Sequence, residues 1–361
     1  MIAFWVHAGT VGLIRDYRSH RGRAIADRIE TLMYEEVGPD VRFPTGPQVF
    51  MALDQLTDVQ REIAVRIWDA HATAAPSIPR LNDPRRVLLR FDLLTTLYRE
   101  GVNSYRVYHT NQVDDVERFP VFVRHIFDHD GPVTRLLTTR KDLVRALRTL
   151  RLRGRSLRDH MIVEYCDASG PDGLFRKYAA FRVGSRIIPC HLFTSREWSV
   201  KAGQDDVTER GLDDALTYFE ENPHAAWLRR VFEVARIDYG RVDYGVCGGV
   251  PQVWEINLTP TLGHASGRSR HANLPSDLKR RREASRQTFH DRLMSAFLTL
   301  DERGIDEWAH ATIDESLMTR LRAEEVQTRR RQRALAWLRG LYHNPTLGRP
   351  VRAFYSLFPR P

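Results

Sequence analysis

The stretch GRVDYGVCGGVPQVWEINLTPTLG, residues 240–263, constrains the fold more than any other. VDYGV and VPQVWEI are short and rich in β-branched and aromatic residues, and Cys247-Gly248-Gly249 stands between them. That is the pattern of a strand, a tight turn and a returning strand. With the turn centred on Gly249, Asp243 faces Glu255 and Arg241 faces Asn257. Strand side chains alternate with period two, so all four project from one face of the ribbon. Opposed side chains have Cβ atoms about 4.5–5.5 Å apart, and like charges at that range repel. A divalent cation between the two carboxylates would relieve the conflict. Mg²⁺ suits such a set, because it takes carboxylate and amide oxygens and keeps positions open for phosphate. The same spacing also fits a solvent-facing ribbon with an acidic side.

The remaining chain reads as mixed α/β. IAFWV, the turn AGTVG and RAIADRIETLMYEEV predict strand, turn and helix. The turn holds only Gly9 and Gly12, a weak basis for a dinucleotide site. TDVQREIAVRIWDAHATA predicts a helix capped by Thr57 or Asp58, and NDPRRVLLRFDLLTTLYREGVN another ending at Gly101. PVFVRHIF and MIVEYC predict strands on either side of the basic helix RKDLVRALRTLRLRG. LFRKYAAFRVGSRIIPCHLF predicts strands, GLDDALTYFEENPHAAWLRRVFEVARI a helical region broken at Pro223, and SDLKRRREASRQTFHDRLMSAFLTLDERG a long helix.

The net charge of +9 suggests a nucleic-acid binder until it is located. Residues 320–361 hold ten Arg against Glu324 and Glu325, a net of +8, so the chain before them is close to neutral. No nucleic acid is expected for the main body, since phosphate tracking needs clustered cations. The tail, with Trp337, Leu341, Tyr342, Phe354 and Phe358 among its arginines, fits either an anionic membrane or protein partner, or an arm packed on the body. A homodimer is one assembly open to such a chain. Cys166, Cys190 and Cys247 are scattered, without zinc or disulfide spacing, which points to a reducing cytoplasm. MIAFWVHAGTVGLI reads as a buried first strand rather than an export signal.

An Arg two residues before an Asp, a glycine turn, then E-I-N and a Pro-containing loop resemble the metal-binding hairpin of the ATP-grasp superfamily, in its D-alanine–D-alanine ligase-like and glutathione synthetase-like branches. FPVFVR is similar to the strand carrying a phosphate-binding Lys, with Arg124 at that position, and LNDPRRVLLRFDLLTTLYREGV to the helix entering the nucleotide domain, with Arg90 in place of another Lys. MIVEYC resembles the linker strand between the halves of the ATP site. The resemblance spans roughly residues 82–300.

It implies an ATP-grasp fold, with a pre-ATP-grasp α/β domain over 1–82 and a central lid subdomain over 83–162. A C-terminal subdomain bearing the metal hairpin follows over 163–303, then a basic helix and arm over 304–361. Asp243, Glu255 and Asn257 would hold Mg²⁺, or Mn²⁺, against the β- and γ-phosphates of ATP, and Arg241 would stabilise the oxyanion. Glu164, with the backbone of Tyr165 and Cys166, would contact adenine, Asp172 the ribose, and Lys177 or Lys201 the phosphates. His264, just past the hairpin, is the substrate-contact candidate, and His191 lies near the same elements. The implied activity is an ATP-dependent carboxylate–amine or carboxylate–thiol ligase passing through an acyl-phosphate and forming ADP and phosphate. Two alternatives stand beside it: a non-catalytic nucleotide-binding or scaffold protein of the same fold acting through its tail, and an ATP-grasp kinase. Arg90, Arg124 and the acidic loop at Asp128, His129 and Asp130 favour the scaffold, because acidic groups beside phosphate are unfavourable.

Overall fold

The computed structural model describes residues 1–128, 131–200, 206–262, 275–302, 307–324, 326–327 and 330. It forms two compact units, one of Met1–Ser104 with Cys166–Ile313, the other of Tyr105–Tyr165 with the described residues from Asp314 onward. The fold class is α/β, as expected.

The first unit opens with β1 (Ile2–Val6), buried along its whole length. It is central in a parallel sheet of order β2-β1-β4-β5, with β2 (Ile29–Met33), β4 (Gln48–Phe50) and β5 (Arg80–Leu81). Helix α1 (Val11–Ser19) follows β1, and α2 (Asp58–Ala74) follows β4. Thr57 and Gln60 close a capping box at the start of α2, satisfying two otherwise orphaned backbone donors.

The helix expected over RAIADRIETLMYEEV does not form. Residues Arg23–Arg28 make a 3-10 segment and Ile29–Met33 pairs in parallel with β1. Pairing with a buried strand outweighs the local preference of a Glu- and Leu-containing segment. A ribbon unforeseen in the sequence joins β3 (Asp40–Pro44) to β13 (Trp308–Thr312).

The same unit holds an antiparallel sheet of order β10-β9-β11-β12, made of β9 (Phe175–Val183), β10 (Arg186–Ser195), β11 (Tyr239–Cys247) and β12 (Val250–Asn257). One face carries Tyr178 and Tyr244, stacked at 5.2 Å, against Tyr218 and His224 near α5 (Glu209–Glu221) and α6 (Ala225–Ala235). The opposite face is apolar at one end, where Phe181 and Tyr239 join Phe4, Phe289 and Phe297, the last two from α7 (Ser276–Leu300). Asn82 ties the two sheets: its amide nitrogen donates to Phe50 O and Tyr239 O at 3.1 and 2.8 Å, and its oxygen accepts from Asp238 N and Tyr239 N at 2.8 and 2.9 Å. All the hydrogen-bonding capacity of that buried amide is used. Helix α3 (Arg90–Arg99) lies in this unit beside β12 and α6.

In the second unit β6 (Val107–His109), β8 (His160–Glu164) and β7 (Val121–His125) form a sheet in that order. Helix α4 (Arg140–Leu152), capped by Thr139, buries Leu143, Leu147 and Leu150 in a core with Val121, Val123 and Ile162. No helix among the described residues is long and apolar enough to cross a membrane.

Candidate functional site

The hairpin places its four polar residues as anticipated, by a different route. Cys247 pairs with Val250 across Gly248 and Gly249, which both have positive φ (56° and 83°), so the turn has two residues and is not centred on Gly249. The register then shifts: Tyr244 pairs with Val253, Asp243 with Glu255, and Trp254 is the extra residue of a β-bulge. The two displacements cancel, leaving Asp243 opposite Glu255 and Arg241 opposite Asn257. Gly245 makes room for the bulge, since a Cβ there would lie 2.3 Å from the Trp254 ring. The outer edge of β12 is closed by Asn103, whose amide donates to Val253 O and accepts from Val253 N, each at 2.9 Å.

The predicted repulsion between the two carboxylates is offset by the protein's own cations. Arg241 grips Asp243 with two donors, Nε to Oδ1 at 2.7 Å and Nη2 to Oδ2 at 3.1 Å. Lys177 Nζ reaches Asp243 Oδ2 at 2.7 Å, and Arg90 Nη2, from the first residue of α3, reaches Glu255 Oε2 at 2.8 Å. Lys177 belongs here because β9 lies beside β11, a neighbour the hairpin alone does not reveal. Burial by itself would raise the Asp243 carboxyl, yet Arg241 and Lys177 hold it far below the usual carboxylate range. Three cations face two carboxylates, an excess of one positive charge among these five groups.

The polar row continues across the sheet. His191 on β10 is opposite Ala179 on β9, which is opposite Asp243, which is opposite Glu255. Ala179 puts only a methyl group between His191 and Asp243 in this row. The His191 ring stacks on Phe193 at 4.0 Å, its Nδ1 lies 3.4 Å from Cys190 Sγ, and its buried Nε2 has no hydrogen-bond partner. Burial, then Arg241, Lys177 and Arg282, push its basicity well below that of an ordinary imidazole, against the opposing effect of Asp243. The imidazole is therefore neutral at physiological pH. Arg282 and Arg286 of α7 act electrostatically on His191 and Cys190 respectively, so α7 adds cations that sequence reasoning missed. Their only signal was the run KRRREASR, which reads as an ordinary solvated helix face.

Arg124, Glu164 and Tyr165 belong to the second unit. Glu164 is buried and accepts from Arg106 N and Tyr108 Oη, both at 2.8 Å, and from Arg118, so its carboxylate knits that sheet together. Tyr165 N donates to Pro120 O at 2.9 Å, and Arg124 is buried on β7 opposite Met161. Asp172, expected at the ribose, is held by both Nη atoms of Arg176 at 3.0 and 2.7 Å, and Arg176 also binds Asp214. That contact depresses the Asp172 carboxyl strongly. Lys201, His264, His129 and Asp130 lie outside the described residues, as does the tail from 331.

Among the described residues no three His, Cys, Asp or Glu side chains cluster as a metal site. A cation at the hairpin would therefore have two carboxylates and the Asn257 amide, which fits Mg²⁺, an ion that keeps several waters and substrate oxygens. Asn257 is 5% exposed and its Nδ2 has no hydrogen-bond partner. The two ends of an amide are assigned rather than observed, so it can present oxygen to a cation or nitrogen to a phosphate. The donor set fits the ion, provided Lys177 yields its place on Asp243.

No protein-family model matches the chain, and no curated protein does. Solved structures do. The D-alanine–D-alanine ligase from Coxiella burnetii is 11% identical with a TM-score of 0.46, over 84% of this chain and 96% of that one. The Bacillus anthracis D-alanine–D-alanine ligase complexed with ATP is 11% identical at 0.42, over 83% and 97%. A RimK domain protein, ATP-grasp, from Sphaerobacter thermophilus is 14% identical at 0.42, over 80% and 98%. These neighbours are ATP-grasp ligases. With TM-scores below 0.5, the likeness carries no weight for activity, which has to be read from the chain's own strand faces.

Proposed function

We propose that the chain is an ATP-dependent, ADP-forming ligase that joins a carboxylate to an amine or a thiol through an acyl-phosphate. The observation that carries this reading is the row on the β9–β12 sheet: Asp243 and Glu255 opposed, Asn257 beside them with an unpartnered amide nitrogen, and Arg241 and Lys177 on the same face. Bound Mg²⁺ would neutralise charge on the β- and γ-phosphates. Asp243, Glu255 and Asn257 would hold it. Lys177 occupies one oxygen of Asp243 and supplies positive charge there; on nucleotide binding it would turn from the carboxylate to a phosphate oxygen.

In the first step a substrate carboxylate oxygen bonds to the γ-phosphorus as the bond to the β-phosphate oxygen breaks, and ADP leaves with the electron pair. In the second, the nucleophile bonds to the acyl carbon, the carbon–oxygen bond to phosphate breaks, and phosphate departs. Negative charge collects on the acyl oxygen between these events. Arg241 suits its stabilisation, being permanently charged and fixed in orientation by its two bonds to Asp243. The adenine role of Tyr165 and Cys166, the phosphate roles of Arg90 and Arg124, the ribose role of Asp172, the substrate role of His264 and a cytoplasmic location belong to the same proposal.

A second reading, a non-catalytic nucleotide-binding protein, is favoured by the Arg90–Glu255 pair, which engages a carboxylate the metal needs. The discriminating experiment supplies ATP, Mg²⁺, pooled carboxylates and hydroxylamine. A ligase yields ADP together with a hydroxamate trapped from the acyl-phosphate. ADP without hydroxamate points to phosphoryl transfer onto a hydroxyl, and neither product supports the binding protein.

A further inference from the structure

None of the three cysteines is half of a disulfide, and none enters the chemistry above through its sulfur. Cys190, half-buried beside His191, has its thiol pushed up to about 12 by desolvation. Cys166 and Cys247 are in a different situation. Cys247 is the last residue of β11 before the glycine turn, and Cys166 is the first residue after the chain returns from the second unit to the first. Both are half-buried.

Four contacts place them face to face. Gln252, paired with Gly245 across the hairpin, accepts from Ser104 N at 2.6 Å and from Ser104 Oγ at 3.1 Å. Ser104 Oγ in turn lies 3.9 Å from Cys166 Sγ. Ala168, two residues after Cys166, lies 3.2 Å from where a Cβ on Gly245 would sit, and Gly245 is two residues before Cys247. Cys166 and Cys247 are thus each two residues from this contact between Ala168 and Gly245. Cys166 is also the largest influence on the Cys247 thiol, raising it ahead of burial, as a direct neighbour does.

We propose that Cys166 and Cys247 form a reversible disulfide site whose oxidant is a hydroperoxide. Cys166, as thiolate, attacks the peroxide while Cys247, whose thiol is raised by its neighbour Cys166 and by burial, keeps its proton; the O–O bond breaks, water or an alcohol leaves, and a sulfenic acid forms at Cys166. The second sulfur then attacks the first, the S–S bond forms, the S–O bond breaks, and water leaves. Two thiols lose two electrons and two protons, and one peroxide is reduced. The bond ties the segment after Tyr165 to the tip of the hairpin whose base carries Asp243 and Glu255. Its two flanking glycines, Gly248 and Gly249, give that tip the backbone freedom to close the last gap. The site is independent of whether the sheet binds nucleotide, since its formation is read without ATP.

The test treats the full reduced chain with one to a few equivalents of hydrogen peroxide and maps peptides by mass spectrometry. The expected product is a single chain lighter by two hydrogens, with a Cys166–Cys247 cross-linked peptide, a raised thermal midpoint, and full reversal by a thiol reductant. Cys190→Ser should form the same link, while Cys247→Ser should form none and stop at the sulfenic acid of Cys166. Separate oxidation of the two sulfurs to sulfinic acids in the unsubstituted chain would overturn the proposal, as would a link through Cys190 or between two chains. The readouts on the unsubstituted chain need no variant to fold.

Discussion

Two strongly basic regions carry the same residue types in opposite electrostatic settings. On the β9–β12 sheet, Arg241, Lys177 and Arg90 are each bound to a carboxylate that is itself nearly removed from water. On and after α4, residues 140–158 hold eight cations against Asp142 alone. There Lys141, Arg148, Arg151, Arg155 and Arg158 are exposed and make no ion pair among the described residues. Burial forces pairing, because an isolated buried charge is prohibitively expensive, whereas a solvated one needs no partner. Cation content alone therefore says little about a site. What marks one is a cation held in place by a carboxylate inside the protein, and the predictions below probe that contrast.

The largest effect should come from Asp243→Ala, which removes a fully buried carboxylate and leaves the half-buried Arg241 and Lys177 without it. Removing one partner of a buried pair costs about 3–5 kcal/mol, to be read as a fall in the denaturation midpoint. An unchanged midpoint would mean that the network is solvated. Glu255→Ala strips Arg90 of its partner and should cost about 1.5–3 kcal/mol, the range for a hydrogen bond to a charged group.

Acid should act through the same face. His191 has a folded pKa below its unfolded value near 6.5. Its contribution is thus complete above about pH 6.5 and is lost as pH falls toward the folded value, at no more than about 1.4 kcal/mol per pH unit. Asp243, also depressed, keeps its contribution until pH falls below the unfolded value near 4. Denaturant midpoints of His191→Phe should therefore lose one proton's dependence between pH 6.5 and 4. The remaining slope would come from His71 and His224, both lowered by burial. A His191→Phe profile parallel to the unsubstituted one would contradict a buried neutral imidazole. The smallest effect belongs to α4: Arg148→Gln with Arg151→Gln should shift stability by less than about 0.5 kcal/mol. The same pair should elute from a polyanionic resin at visibly lower salt.

Much of the antiparallel sheet was legible because its signals are local. The glycine turn, the alternation of VDYGV and VPQVWEI, and the break at Pro223 between α5 and α6 all act over a few residues. The bulge was not legible, because Trp254 alone looks like any strand aromatic; only the packing of its ring over the bare Gly245 gives it away. The partners of the site carboxylates were hidden for a different reason. Lys177 reaches Asp243 through the β9–β11 pairing and Arg90 reaches Glu255 from α3, and such contacts depend on tertiary assembly rather than on spacing. The same holds for Tyr108 and Arg118 around Glu164. The misread helix over β2 shows the limit of propensity where a buried neighbour offers a better pairing.

Calorimetric titration of ATP into the full chain decides whether the hairpin face is a magnesium–nucleotide site. It is run with and without Mg²⁺, on the unsubstituted protein and on Glu255→Gln, which keeps the shape of the side chain and removes its charge. ATP binding that strengthens with Mg²⁺ in the unsubstituted chain, and loses that dependence in the variant, is the predicted result. ATP binding that ignores both Mg²⁺ and the substitution, or no ATP binding at all by a folded protein, would contradict it.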